Sequence, residues 1–106
     1  MSKYLVKASY TQEGLKGLLK DGGTKRRATV EQAVQGMGGK LEAFYFAFGE
    51  TDVYAIADMH DNITAAAISI AVTASGTVWA TAIVLITPEE MDQVVKKTIS
   101  YRPPGT

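Results

Sequence analysis

The stretch that decides the fold is Gly38-Gly39-Lys40-Leu41-Glu42-Ala43-Phe44-Tyr45-Phe46-Ala47-Phe48-Gly49-Glu50-Thr51-Asp52-Val53-Tyr54-Ala55-Ile56-Ala57-Asp58. Two aromatic and β-branched runs flank the polar break Gly49-Glu50-Thr51-Asp52. Such side chains suit a pleated surface, and glycine and aspartate suit the turn between, so the segment reads as a β-hairpin. The pattern predicts one strand over residues 40–48 and an antiparallel partner over 52–58. The rest of the chain reads as cover for this hairpin.

Upstream, Tyr4, Val6, Ala8 and Tyr10 alternate with Lys3, Leu5, Lys7 and Ser9, which is the period of a strand. Thr11 then opens a helix with Glu13 in its first turn and an apolar stripe of Leu15, Leu18 and Leu19. Asp21-Gly22-Gly23 ends or bends that helix, and Thr24 is placed to cap a second one, with Val30, Ala33, Val34 and Met37 on one face. Downstream of the hairpin, Asp61 or Asn62 caps a helix running to Ser75. Its expected core stripe is Ile63, Ala66, Ala67, Ile70 and Ala74, although Ala65, Ile68 and Val72 make the other side apolar too. Thr77 to Ile86 alternates as a last strand, and Thr87-Pro88-Glu89-Glu90 starts a final helix with cap, proline and capping glutamate in place.

The order strand, helix, strand, strand, helix, strand is the split βαβ of a ferredoxin-like α+β sandwich, here with an extra C-terminal helix. It predicts a four-stranded antiparallel sheet with helices on one face, in a single domain spanning the 106 residues. Strands two and four are apolar on both sides: Phe44, Phe46 and Phe48 oppose Leu41, Ala43, Tyr45 and Ala47, while Trp79, Ile83 and Leu85 oppose valines and alanines. An apolar sheet face without helices marks an interface, so two sheets are expected to meet in a homodimer. The all-round apolarity of the residue 63–75 helix points to a higher homo-oligomer beyond it.

Totals narrow the function classes. Lys plus Arg equals Asp plus Glu, 11 each, so the formal net charge is zero and a nucleic-acid partner is not expected. The chain has no cysteine, which excludes a disulfide scaffold, a thiolate zinc site and a cysteine nucleophile. The uncharged run from Asn62 to Pro88 is broken into amphipathic pieces by Gly76 and by threonines and serines, so no transmembrane helix is expected. Met1-Ser2-Lys3-Tyr4 lacks the charged-then-apolar pattern of a leader, and a cytoplasmic location is the expectation.

The chain also resembles the GYD-domain family, small proteins of the dimeric α+β barrel superfamily. The resemblance rests on Tyr10-Thr11-Gln12-Glu13-Gly14-Leu15-Lys16-Gly17-Leu18-Leu19-Lys20, on Arg26-Arg27 leading a helix, on Gly38 to Tyr45, on Gly49-Glu50-Thr51-Asp52, and on the Thr-Pro-Glu-Glu near the end. These segments span about nine-tenths of the chain. Gly49 and Asp52 match the glycine-tyrosine-aspartate signature, whereas Thr51 stands where its tyrosine would be expected. The resemblance implies the fold and a homo-oligomer, and no particular chemistry.

Candidate chemistry is sparse. Gly49, Glu50 and Asp52 suit a tight turn, and the same carboxylates are candidate bases or polar anchors at a cleft mouth. His60, the one histidine, lies between Asp58 and Asp61 and is a candidate proton donor, although a strand end and a helix cap explain the cluster without a ligand. A metal site needs three or more ligands, so no metal is expected there. Lys25, Arg26 and Arg27 follow a glycine turn at a helix start and are candidates for anion binding, in place of a merely solvated basic face. Gly36, Gly38 and Gly39 end a helix and do not follow a strand, so no dinucleotide cofactor is read from them. Tyr10, Tyr45, Tyr54 and Trp79 are candidates to line a small-molecule cavity between sheet and helices, or else simply pack. Two readings follow: a non-catalytic, self-assembling domain that binds a small molecule or partner protein, or a cofactor-independent oxygenase or isomerase using Asp52, Glu50, His60 and a tyrosine.

Overall fold

A computed structural model describes all residues, 1–106. Its elements run β1 (Ser2–Tyr10), α1 (Gln12–Asp21), α2 (Gly23–Gly36), β2 (Lys40–Phe46), β3 (Val53–Met59), α3 (Asn62–Ala74), β4 (Val78–Leu85) and α4 (Pro88–Lys96). The strands form one antiparallel sheet in the order β2-β3-β1-β4, the ferredoxin-like arrangement in which the first and third strands are central. The helix starts follow local chemistry. Thr11 accepts the Gly14 N–H at 3.2 Å, Asp61 accepts the Thr64 N–H at 2.8 Å, and Thr87 and Glu90 form a reciprocal capping box with both bonds at 3.0 Å. At α2 the cap is Gly22, at φ 79°, and no side chain caps the helix; Thr24 lies inside the first turn instead of before it. No helix is long and apolar enough to cross a membrane.

The hairpin is shorter than its sequence suggests. The strand pairing ends at Phe46 and Val53, the Ala47 N–H donates to the Asp52 carbonyl at 2.8 Å to close the hairpin, and Asp52 also bonds β1. Its N–H donates to the Ala8 carbonyl at 2.9 Å and its carboxylate accepts the Tyr10 N–H at 2.8 Å. A bulge between Leu41 and Ala43 also changes which residues share a face. Leu41 joins Phe44 and Phe46 toward the helices, while Glu42, Ala43 and Tyr45 face the other way. Strict alternation had put Leu41 with Ala43 and Tyr45.

The core lies between the sheet and helices α2 and α3. Tyr4, Val34, Ala57, Met59 and Ala65 form its larger cluster, and Ala8, Val53 and Val78 a smaller one. In α3 the buried stripe is Ala65 with Ile68 and Val72, the reverse of the stripe expected from sequence; Ile63 and Ile70 are left outside, the latter 68% exposed. A helix apolar all round gives no cue in sequence to choose a face. Leu15 and Leu19 of α1 are likewise exposed; α1 buries only Gly14, against the Thr77 carbonyl.

No helix covers the opposite sheet face. Strand register lines up Ala43, Ile56, Leu5 and Ile83 as an apolar band across all four strands. On one side of the band sits a charged row, where Lys3 bonds Glu42 at 2.6 Å and Asp58 at 3.2 Å. On the other side sit Tyr45, Tyr54, Lys7 and Thr81, with Trp79 beyond them. Trp79 is 65% exposed and Tyr45 71%.

Candidate functional site

Between the sheet and helices α2 and α3 lies an apolar cavity with about 60 Å³ of free space. Its origin is legible in the strand register. The floor is made from Ala8 paired with Ala80 and from Val6 paired with Ala55, positions where larger side chains would have filled the space. Val30, Val34, Ile68 and Val72 form the roof from the two helices. Ser69 also lines it, but its hydroxyl is spent on the Ala65 carbonyl at 3.0 Å.

Two polar side chains stand at the end of this cavity, Tyr10 from the end of β1 and Arg26 from the first turns of α2. Both also line a surface groove of about 170 Å³ beside α1, so they separate the cavity from solvent. Arg26 makes no ion pair within the chain, and its Nε is buried with no hydrogen-bond partner. Buried donors are nearly always satisfied, so this one stands out. Burial pushes the Tyr10 phenol above its ordinary value of 10, with the Asp52 carboxylate adding to the rise and the Arg26 guanidinium opposing it. Tyr10 is therefore a neutral O–H donor at neutral pH, next to a permanent cation.

The other candidates fall elsewhere. Lys25 pairs with Asp21 at 3.5 Å, and Arg27 lies on the surface beside Glu31 and Tyr45, so of the three basic residues only Arg26 turns inward. Tyr45, Tyr54 and Trp79 belong to the open sheet face, away from the cavity. Glu50 is exposed in the hairpin turn, and its backbone carbonyl accepts the Ser9 hydroxyl at 2.8 Å. Asp52 and His60 flank opposite ends of β3, on the order of 25 Å apart at about 3.3 Å per residue. His60 packs beside Gly38, where any Cβ would meet its Nε2 at 2.7 Å. Asp58 is engaged with Glu42 and Lys3, which together with Lys40 hold its carboxyl below the usual range; Asp61 is held low by the backbone N–H of Thr64. No three His, Asp or Glu side chains come together as a metal site.

Sequence reasoning had grouped Arg26 with its neighbours and the tyrosines with one another. The signal that separates them is spacing. Val30 and Val34 follow Arg26 at intervals of four, so they share its helix face, and strict alternation along β1 puts Tyr10 on the same face as Tyr4 and Ala8.

A four-stranded antiparallel sheet with helices packed on one face is the ferredoxin-like α+β fold. Residues 4–95 match the GYD domain, and the chain belongs to that family. No curated protein and no solved structure matches the chain.

Proposed function

We propose that this GYD-domain protein is a non-catalytic homodimer, formed by two open sheet faces, that holds a small molecule in the cavity beneath α2 and α3. The observation that carries the reading is the four-strand apolar band of Ala43, Ile56, Leu5 and Ile83 on a face that no helix covers. Exposed apolar surface of that extent marks an association site. The face is also suited to its own copy. Lys7 makes no ion pair within the chain, whereas Glu42 and Asp58 lie on the far side of the band. A two-fold axis along the band lays apolar band on apolar band and sets Lys7 of each copy over the partner's mixed charged row, in which Lys3 already bonds Glu42 and Asp58. Stacked sheets of this kind make the α+β barrel that the resemblance implied.

The cofactor-independent enzyme is the weaker reading. Its acid and base groups, Asp52, Glu50 and His60, do not converge, and Asp52 already accepts a backbone N–H. Native mass spectrometry of untagged protein, taken gently from its host, tests the proposal. The expected result is a mass of 2 × 11.4 kDa plus a small adduct that leaves on denaturation. A monomer without an adduct contradicts it.

A further inference from the structure

We propose that the cavity takes a short-chain monocarboxylate, its carboxylate held by the Arg26 guanidinium and the Tyr10 hydroxyl and its tail of about two to four carbons lying on the alanine floor. The inference deepens the small-molecule part of the proposed function and rests on it. Charge decides the head group. Glu13 and Asp21 border the same groove, but each is matched by a lysine of its own, Lys16 at 3.9 Å and Lys25 at 3.5 Å. Arg26 is the cation left over, and its Nε donor is buried at the cavity end without an acceptor. Guanidinium is the side chain best shaped to bind a carboxylate through two parallel bonds, and a neutral phenol beside it supplies a further donor. An amine would meet like charge there, and a neutral head group would leave the guanidinium poorly paired.

Volume and lining decide the tail. Fifteen of the 17 lining residues are hydrophobic, so the body of the ligand is hydrocarbon. Free space of about 60 Å³ is well under the ~150 Å³ of an apolar cavity that takes benzene, which favours a short aliphatic chain over a ring.

The test titrates the full-length, ¹⁵N-labelled protein with butanoate, butanamide and 1-butanol, following backbone amide shifts. Butanoate is expected to shift the amides of Tyr10, Arg26, Ser69 and Val72 in a saturable way, with affinity about tenfold above butanamide. Arg26→Gln should bring butanoate down to the level of butanamide and leave butanamide unchanged, and Arg26→Lys should restore part of the difference. If butanamide or butanol binds the wild type as well as butanoate does, the carboxylate inference is overturned while the cavity reading stands. If none of the three shifts those amides, both are overturned.

Discussion

Gly14 and Gly17 sit three residues apart in α1, and the same substitution at the two should have opposite signs. In an exposed helix interior, glycine to alanine stabilises by roughly 1 kcal/mol, because the glycine backbone loses more freedom on folding. At Gly17 a new Cβ has nothing within 4 Å, so Gly17→Ala should show that gain in full. At Gly14 the Cβ lands 1.9 Å from the Thr77 carbonyl oxygen and 3.0 Å from the Tyr10 ring. The carbonyl must retreat by about 1.5 Å (3.4 − 1.9) to reach ordinary contact. That same oxygen accepts the Thr11 N–H at 3.0 Å, at the cap that starts the helix. Overpacking costs about 1–3 kcal/mol and a weakened hydrogen bond about 1 kcal/mol more, against the propensity gain of about 1 kcal/mol. Gly14→Ala should therefore destabilise by about 1–3 kcal/mol, leaving the two variants about 2–4 kcal/mol apart. Urea denaturation at one fixed protein concentration measures both. Equal effects, or a stabilised Gly14→Ala, would refute the close docking of α1 on the start of β4 that holds Tyr10 in place.

Other expectations are as direct. Asp52→Ala removes the acceptor that ties the hairpin to β1 at 2.8 Å and should destabilise by about 1.5–3 kcal/mol, while Asp52→Asn keeps an acceptor and recovers most of it; equal losses in urea melts would contradict the clamp. Tyr4 is buried and its O–H donates to Asn62 Oδ1 at 2.6 Å, so Tyr4→Phe should cost about 1 kcal/mol and Tyr4→Ala about 3–5 kcal/mol, read in the same melts. The Asp61 carboxyl is lowered from 3.8 in the folded chain, so the stability it contributes is present above that value and lost as pH falls through the lower, folded one. The melting-temperature advantage of wild type over Asp61→Asn should thus shrink below about pH 4, and an advantage constant down to pH 2 would rule out the charged cap.

The parts of the fold that were legible in the sequence have short-range causes. Alternation fixed β1 and β4, and the side-chain caps at Thr11, Asp61 and Thr87 fixed three helix starts. What was not legible depends on contacts between distant residues. Asp52 ties the hairpin turn to β1 through Ala8 and Tyr10, which lie 44 and 42 residues away in sequence. The Leu41/Ala43 bulge swaps a face that alternation alone could not swap. In α3 two apolar stripes compete, and the one with Ala65, Ile68 and Val72 faces the core. The cavity was missed for a related reason. An alanine at an inward position reads as core in one dimension, and only the register, which brings Ala8 beside Ala80 and Val6 beside Ala55, reveals that several of them meet. Arg26 was visible as one of three cations, and its distinct role comes from sharing a helix face with Val30 and Val34.

The central claim is that the open sheet face is the surface through which two copies associate, and sedimentation velocity at micromolar concentration tests it most directly. Ile83 ends the apolar band on the edge strand β4, 45% exposed, so a lysine there leaves the cavity side of the sheet untouched. The account predicts that the wild type sediments as a particle of 2 × 11.4 kDa and that Ile83→Lys sediments at 11.4 kDa with an unchanged circular dichroism spectrum. A wild type that sediments at 11.4 kDa, or an Ile83→Lys variant that remains a dimer, would contradict it.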